Sequence, residues 1–164
     1  MQLQRKPNRW TCLPVSFAMV LDIPVQDIFN ELGHNGSRIL WPDLPEPMCR
    51  RGFHIQELIE IALRHGFAVT PFELSPVLQC EDKEYCFDER WTAFATVVAN
   101  STGVLTGSGV RTHHAVAYAL GQIFDPDNGV YDYSKVACEG RLFYANCAWR
   151  IDRIDRIGRQ DVQP

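Results

Sequence analysis

The stretch RWTCLPVSFAMVLDIP, residues 9–24, decides how this chain is read. Leu13, Val15, Phe17, Ala18, Met19, Val20 and Leu21 are apolar almost all the way round a helical repeat. That pattern marks a helix buried in a core rather than one lying on the surface. Thr11 suits the N-cap, and Pro14 falls in the first turn, where its missing N–H costs little. Cys12 therefore stands in the first turn of a buried helix.

Outward from this helix, Pro24 opens a second one, PVQDIFNEL, which Gly33 closes. Residues 33–52 read as a long loop with two proline turns. HIQELIEIALRHG, residues 54–66, has Ile55, Leu58, Ile59, Ile61 and Ala62 along one side and reads as an amphipathic helix stopped by Gly66. FAVTPFEL is expected as a strand, residues 75–92 as acidic and irregular, Phe94 to Val98 as a strand, and NSTGVLTGSG as a glycine-rich connection. Val110 to Ala119 is expected as a strand, returning after Gly121 as Ile123 to Asp125. RLFYA and AWRID are expected as a further strand pair. Helices first and strands later imply an α+β fold, with an antiparallel sheet packed on the helices. One domain is expected over 1–157, followed by a charged tail, 158–164.

At 164 residues the chain can bury a core without staples. Its net charge of -4 argues mildly against nonspecific nucleic-acid binding, which needs a basic surplus. No signal peptide is visible, and the longest nearly apolar run, Leu13 to Leu21, is too short to span a bilayer. A cytoplasmic location follows as the expectation, with neither membrane nor nucleic acid as partner. The six cysteines (Cys12, Cys49, Cys80, Cys86, Cys138 and Cys147) then read as free thiols. Neither Cys80 with Cys86 nor Cys138 with Cys147 has the spacing of a zinc knuckle, so no metal is expected.

The second informative stretch is RTHHAVAYALGQIFDPDNG, residues 111–129. On a strand, His114, Val116 and Tyr118 point one way and His113, Ala115 and Ala117 the other. A two-residue turn at Leu120-Gly121 or Gly121-Gln122 puts Asp125 and Asp127 on the face of His114. A three-residue loop would favour His113 instead. DPDNG also reads as a plain acidic turn. It departs from the EF-hand pattern, with Val136 where the last calcium ligand should be.

A cysteine attacks carbonyls as thiolate, and its ordinary pKa of about 8.5 is lowered by a helix N-terminus and by a neighbouring imidazolium. A thiol at a helix start, then a strand histidine, then an acid beyond a turn resembles the papain-like cysteine peptidases. The nearest branch is that of the bacteriocin-processing (double-glycine leader) peptidases, with short bacterial and phage members. TCLPVSFAMVL is similar to that family's nucleophile helix, and HAVAYALGQIFDPDNG to its histidine strand, turn and Asp-Pro segment. The resemblance implies a papain-like fold with Cys12 as nucleophile, His114 as base and Asp125 as orienting acid, Asp127 staying open for that last role. It implies hydrolysis of an amide or isopeptide bond in a protein or peptide substrate, with no cofactor.

The chain departs from the family pattern at Leu13, where glycine is usual, and at Lys6, where the oxyanion-hole glutamine normally stands. Gln4 is the replacement donor expected, with Lys6 and Asn8 as alternatives. The same triad serves deamidation and acyl transfer. A catalytically inactive module that binds a partner protein, with WPDLPEP (41–47) as its recognition loop, is the competing reading. A redox or metal sensor at Cys80 and Cys86 is a weaker one.

Overall fold

The computed structural model describes residues 1–38, 51–74, 87–109, 113–133 and 143–154. The WPDLPEP loop, Cys49, Cys80, Cys86, Cys138 and the tail 158–164 lie outside the described residues.

Among the described residues, four helices and six strands follow in the order α1 (Cys12–Leu21), α2 (Val25–Leu32), α3 (Ile55–Arg64), β1 (Phe67–Glu73), α4 (Phe87–Asn100), β2 (Thr102–Gly109), β3 (His113–Ala119), β4 (Gln122–Asp125), β5 (Gly129–Asp132) and β6 (Phe143–Arg153). The strands form one sheet in the order β1-β6-β2-β3-β4-β5, and every neighbouring pair is antiparallel. The fold class is α+β.

Side-chain alternation sorts the core into two layers. Val104, Ala115 and Ile151 pack on one face of the sheet with Phe17, Ala18 and Leu21 of α1, Ile28 of α2, and Leu58 and Ile61 of α3. Leu105, Val116, Tyr118, Ile123 and Ala148 pack on the other face with Phe94 and Val98 of α4. Val15 and Met19 meet Ala117, with Leu3 and Phe124 closing over them. So α1 is covered on nearly every side, as its pattern requires. No single described helix is long and apolar enough to cross a membrane.

Three expectations need correction. Phe94 to Val98 is not a strand but the middle of α4, which also takes in residues 87–92 of the stretch expected as irregular. Trp91, Phe94, Ala95 and Val98 recur at helical spacing, and Phe94 and Val98 are fully buried under the sheet. The glycine-rich 102–109 is not a connection but β2, held between β3 and β6. Gly103 is required there because a Cβ would run into the Trp149 carbonyl. RLFYA and AWRID are not a pair: residues 143–153 form the single strand β6, which pairs with both β1 and β2.

Candidate active site

Cys12 opens α1 and is half-buried against the α1–α3 core. Thr11 does not cap this helix with its side chain. Its buried hydroxyl donates to the Asn8 carbonyl at 2.8 Å. The first-turn N–H groups of Cys12 and Leu13 therefore gain no acceptor from Thr11. They add the partial positive charge of the helix end beside the sulfur. The Ser16 hydroxyl donates to the Cys12 carbonyl at 2.8 Å and fixes the turn from within.

His114 is the second residue of β3. Its parity is set by the hairpin that follows. Ala119 pairs with Gln122 across a two-residue turn, with Leu120 at φ 49° and Gly121 at φ 84°. Two successive positive φ values make the twist-compatible turn of a tight hairpin. The register puts Asp125 on the face of His114, and His114 Nε2–H donates to Asp125 Oδ1 at 3.0 Å. The Cys12 side chain lies near enough to the imidazole to favour its charged form. His113, by contrast, is exposed.

Asp125 is fully buried and takes five hydrogen bonds. Besides His114, Oδ1 accepts from the N–H groups of Asp127 at 2.7 Å and Asn128 at 3.2 Å. Oδ2 accepts from Asn128 Nδ2 at 2.8 Å and the Tyr131 hydroxyl at 3.1 Å. Burial alone would raise its pKa. The bonds from His114, Asn128 and the Asp127 N–H outweigh burial and hold the carboxyl well below the usual carboxylate range. His114 shows the mirror image. Burial would lower it, but the bond to Asp125 and the nearby Cys12 raise it from 6.5 to about 9. Burial, with the charge of Asp125, pushes the Tyr131 phenol upward, so Tyr131 stays a donor. The sulfur thus faces an imidazole biased towards imidazolium by an ionised acid.

Asp127 lies near His114 as well, but it is tied elsewhere. Its carboxylate pairs with Lys6 Nζ at 2.6 Å, near the surface. The expected oxyanion donor Gln4 is placed elsewhere. Its side chain donates to Ile23 O at 2.7 Å and accepts from Val25 N–H at 3.0 Å, in the link between α1 and α2. That link follows the C-terminal end of α1, whereas Cys12 is at the N-terminal end. Asn8 is bound too, donating to the Asn35 carbonyl at 3.1 Å and accepting from Trp10 N–H at 2.8 Å. An extended link and a helix start both leave unpaired backbone groups, and these polar side chains satisfy them.

Asn128 and Tyr131 were missed by the sequence reading. Asn128 was within reach of it, because an aspartate before a turn accepts N–H groups two and three residues on. Tyr131 needed the second hairpin. Ile123 pairs with Tyr131, which sets Tyr131 on the face of Asp125.

Ligand atoms of His114, Asp125 and Asp127 lie within 4.8 Å of one another. A cation there would have to displace Lys6 from Asp127 and compete with five donors on Asp125, so the donor set suits a hydrogen-bonded acid rather than a metal centre. No family model matches the chain, and no curated protein matches its sequence.

Proposed function

We propose that this chain is a papain-like cysteine hydrolase, cytoplasmic, acting on an amide or isopeptide bond of a protein or peptide substrate. The observation that carries the reading is one imidazole hydrogen-bonded to a buried carboxylate that takes five hydrogen bonds, with a helix-start thiol beside it.

The chemistry follows from those positions. The Cys12 thiolate attacks the carbonyl carbon, and the oxygen gains the charge. The N–H groups of Cys12 and Leu13 lie at the helix end where that oxyanion develops. His114, as imidazolium, protonates the departing amine when the C–N bond breaks, leaving a thioester on Cys12. The neutral imidazole then takes a proton from water, whose oxygen attacks the thioester, and the acid product leaves as the thiolate is regenerated. Asp125 keeps the ring oriented and Nε2 protonated throughout.

Iodoacetamide labelling tests this. Cys12 should react at least about tenfold faster than Cys147, whose thiol burial pushes up to about 11. Equal slow labelling of all six thiols would remove the nucleophile from the proposal.

A second reading, a catalytically inactive module that binds a partner, draws support from one observation. Gln4, Lys6 and Asn8 are each committed to other partners. A biological effect that survives Cys12→Ala would favour it.

A further inference from the structure

The segment before α1 crosses the turn that carries the acid. Leu3 packs among Val15, Met19 and Ala117, and Gln4 is tied to the α1–α2 link. Those anchors fix where the next two side chains emerge. Arg5 Nη1 donates to the carbonyls of Pro126 at 3.3 Å and Asp127 at 2.9 Å. These carbonyls belong to two particular peptide units. The unit with the Pro126 carbonyl carries the Asp127 N–H, and the unit with the Asp127 carbonyl carries the Asn128 N–H. Both N–H groups bind Asp125 Oδ1. A trans peptide points its C=O and N–H in opposite directions. The guanidinium therefore holds the negative ends of two dipoles whose positive ends hold the acid. Lys6, next in the chain, engages the other carboxylate close to the imidazole, that of Asp127.

Building on the hydrolase reading, we propose that Arg5 is a positioning residue for Asp125, acting through these two peptide units, and that Lys6 offsets the charge of Asp127 beside His114. Without Arg5 the two peptides are free to rotate. Asp125 then loses fixed donors, and the imidazole loses a fixed acceptor. Without Lys6 the Asp127 charge beside the ring is no longer offset by a cation. The two losses act on His114 in opposite senses.

The test uses the full chain and no substrate. In Arg5→Ala, the amide protons of Asp127 and Asn128 should exchange about tenfold faster, with those of Val104 and Ala117 unchanged. The His114 ring titration, followed by NMR, should move down. In Lys6→Gln it should move up, and Arg5→Lys should recover part of the Arg5→Ala loss and serve if that variant does not fold. A merely structural role would move both titrations the same way, or speed exchange across the whole sheet, and either result overturns the proposal. So does an Arg5→Ala protein with both amides still protected. Repeating the titrations in Cys12→Ala protein judges the clamp even if the chain proves not to be a hydrolase, which labelling and turnover alone decide.

Discussion

Replacing Asp125 by Asn removes one charge and changes little in shape, so its effect can be worked from the geometry. Raising His114 from 6.5 to about 9 corresponds to about 3 kcal/mol of preference for the imidazolium, at about 1.4 kcal/mol per pKa unit. Asp125 and Cys12 share that preference, and Asp125 supplies the larger part. In Asp125→Asn the ring should titrate near 7. At pH 8 the imidazolium fraction then falls from about nine-tenths to about one-tenth, so Cys12 alkylation and turnover should both drop about tenfold. Loss of ring orientation adds to the turnover defect. The new amide also points hydrogens at donors. Oδ2 accepts from Asn128 Nδ2 and the Tyr131 hydroxyl, and an NH₂ there leaves them unpaired at a cost of about 1–3 kcal/mol. The assay is an NMR titration of His114 beside the pH profile of iodoacetamide labelling. A ring still titrating at about 9, with an unchanged labelling profile, would refute the assignment of Asp125 as the charge behind the histidine.

Other expectations follow from the same contacts. Tyr131→Phe removes one donor to Asp125 and should cost about 1 kcal/mol in urea unfolding, with turnover falling only severalfold. Because the folded pKa of His114 is raised, its stabilising contribution is complete below 6.5 and lost as pH climbs through about 9. The contribution of Asp125, whose pKa is lowered, holds above its ordinary value of 3.8 and is lost on acidification. The melting temperature should therefore be higher at pH 6 than at pH 10, and His114→Gln should flatten the alkaline decline. Gly103→Ala should destabilise the fold by at least about 2 kcal/mol, because the new methyl meets the Trp149 carbonyl in mid-sheet, and denaturant melts would show it. Leu120→Asn should stabilise the hairpin by about 0.5–1 kcal/mol, since the residue is exposed at φ 49° and asparagine tolerates that conformation better.

How much of this was legible depends on whether local pattern or distant neighbours decide each element. The first three helices were readable because their periodicity and stops are local: Gly33 at φ 75° closes α2 and Gly66 at φ 79° follows α3. The five-residue run from Phe94 to Val98 is too short to tell strand from helix, and its helical partner Trp91 sits in a stretch read as irregular. The glycines of β2 argue for a loop by composition. Only a carbonyl from β6, more than forty residues away, gives Gly103 its reason. For the site, hairpin parity selected His114 over His113 because the period of a strand is an arithmetic constraint. The choice between Asp125 and Asp127 was out of reach, because Lys6, which pairs with the second of them, is over a hundred positions away. Gln4 was misplaced because a motif offset says nothing of which backbone groups an extended segment leaves unsatisfied.

The position of β6 bears on how the protein comes into being. It is synthesised after β1, β2, β3, β4 and β5, yet it lies between β1 and β2. Among the described strands, β1 pairs with β6 alone, so on the ribosome it waits for β6 to emerge. The layer that braces the thiol stays unfinished until then, and a chain halted before residue 143 should be short-lived.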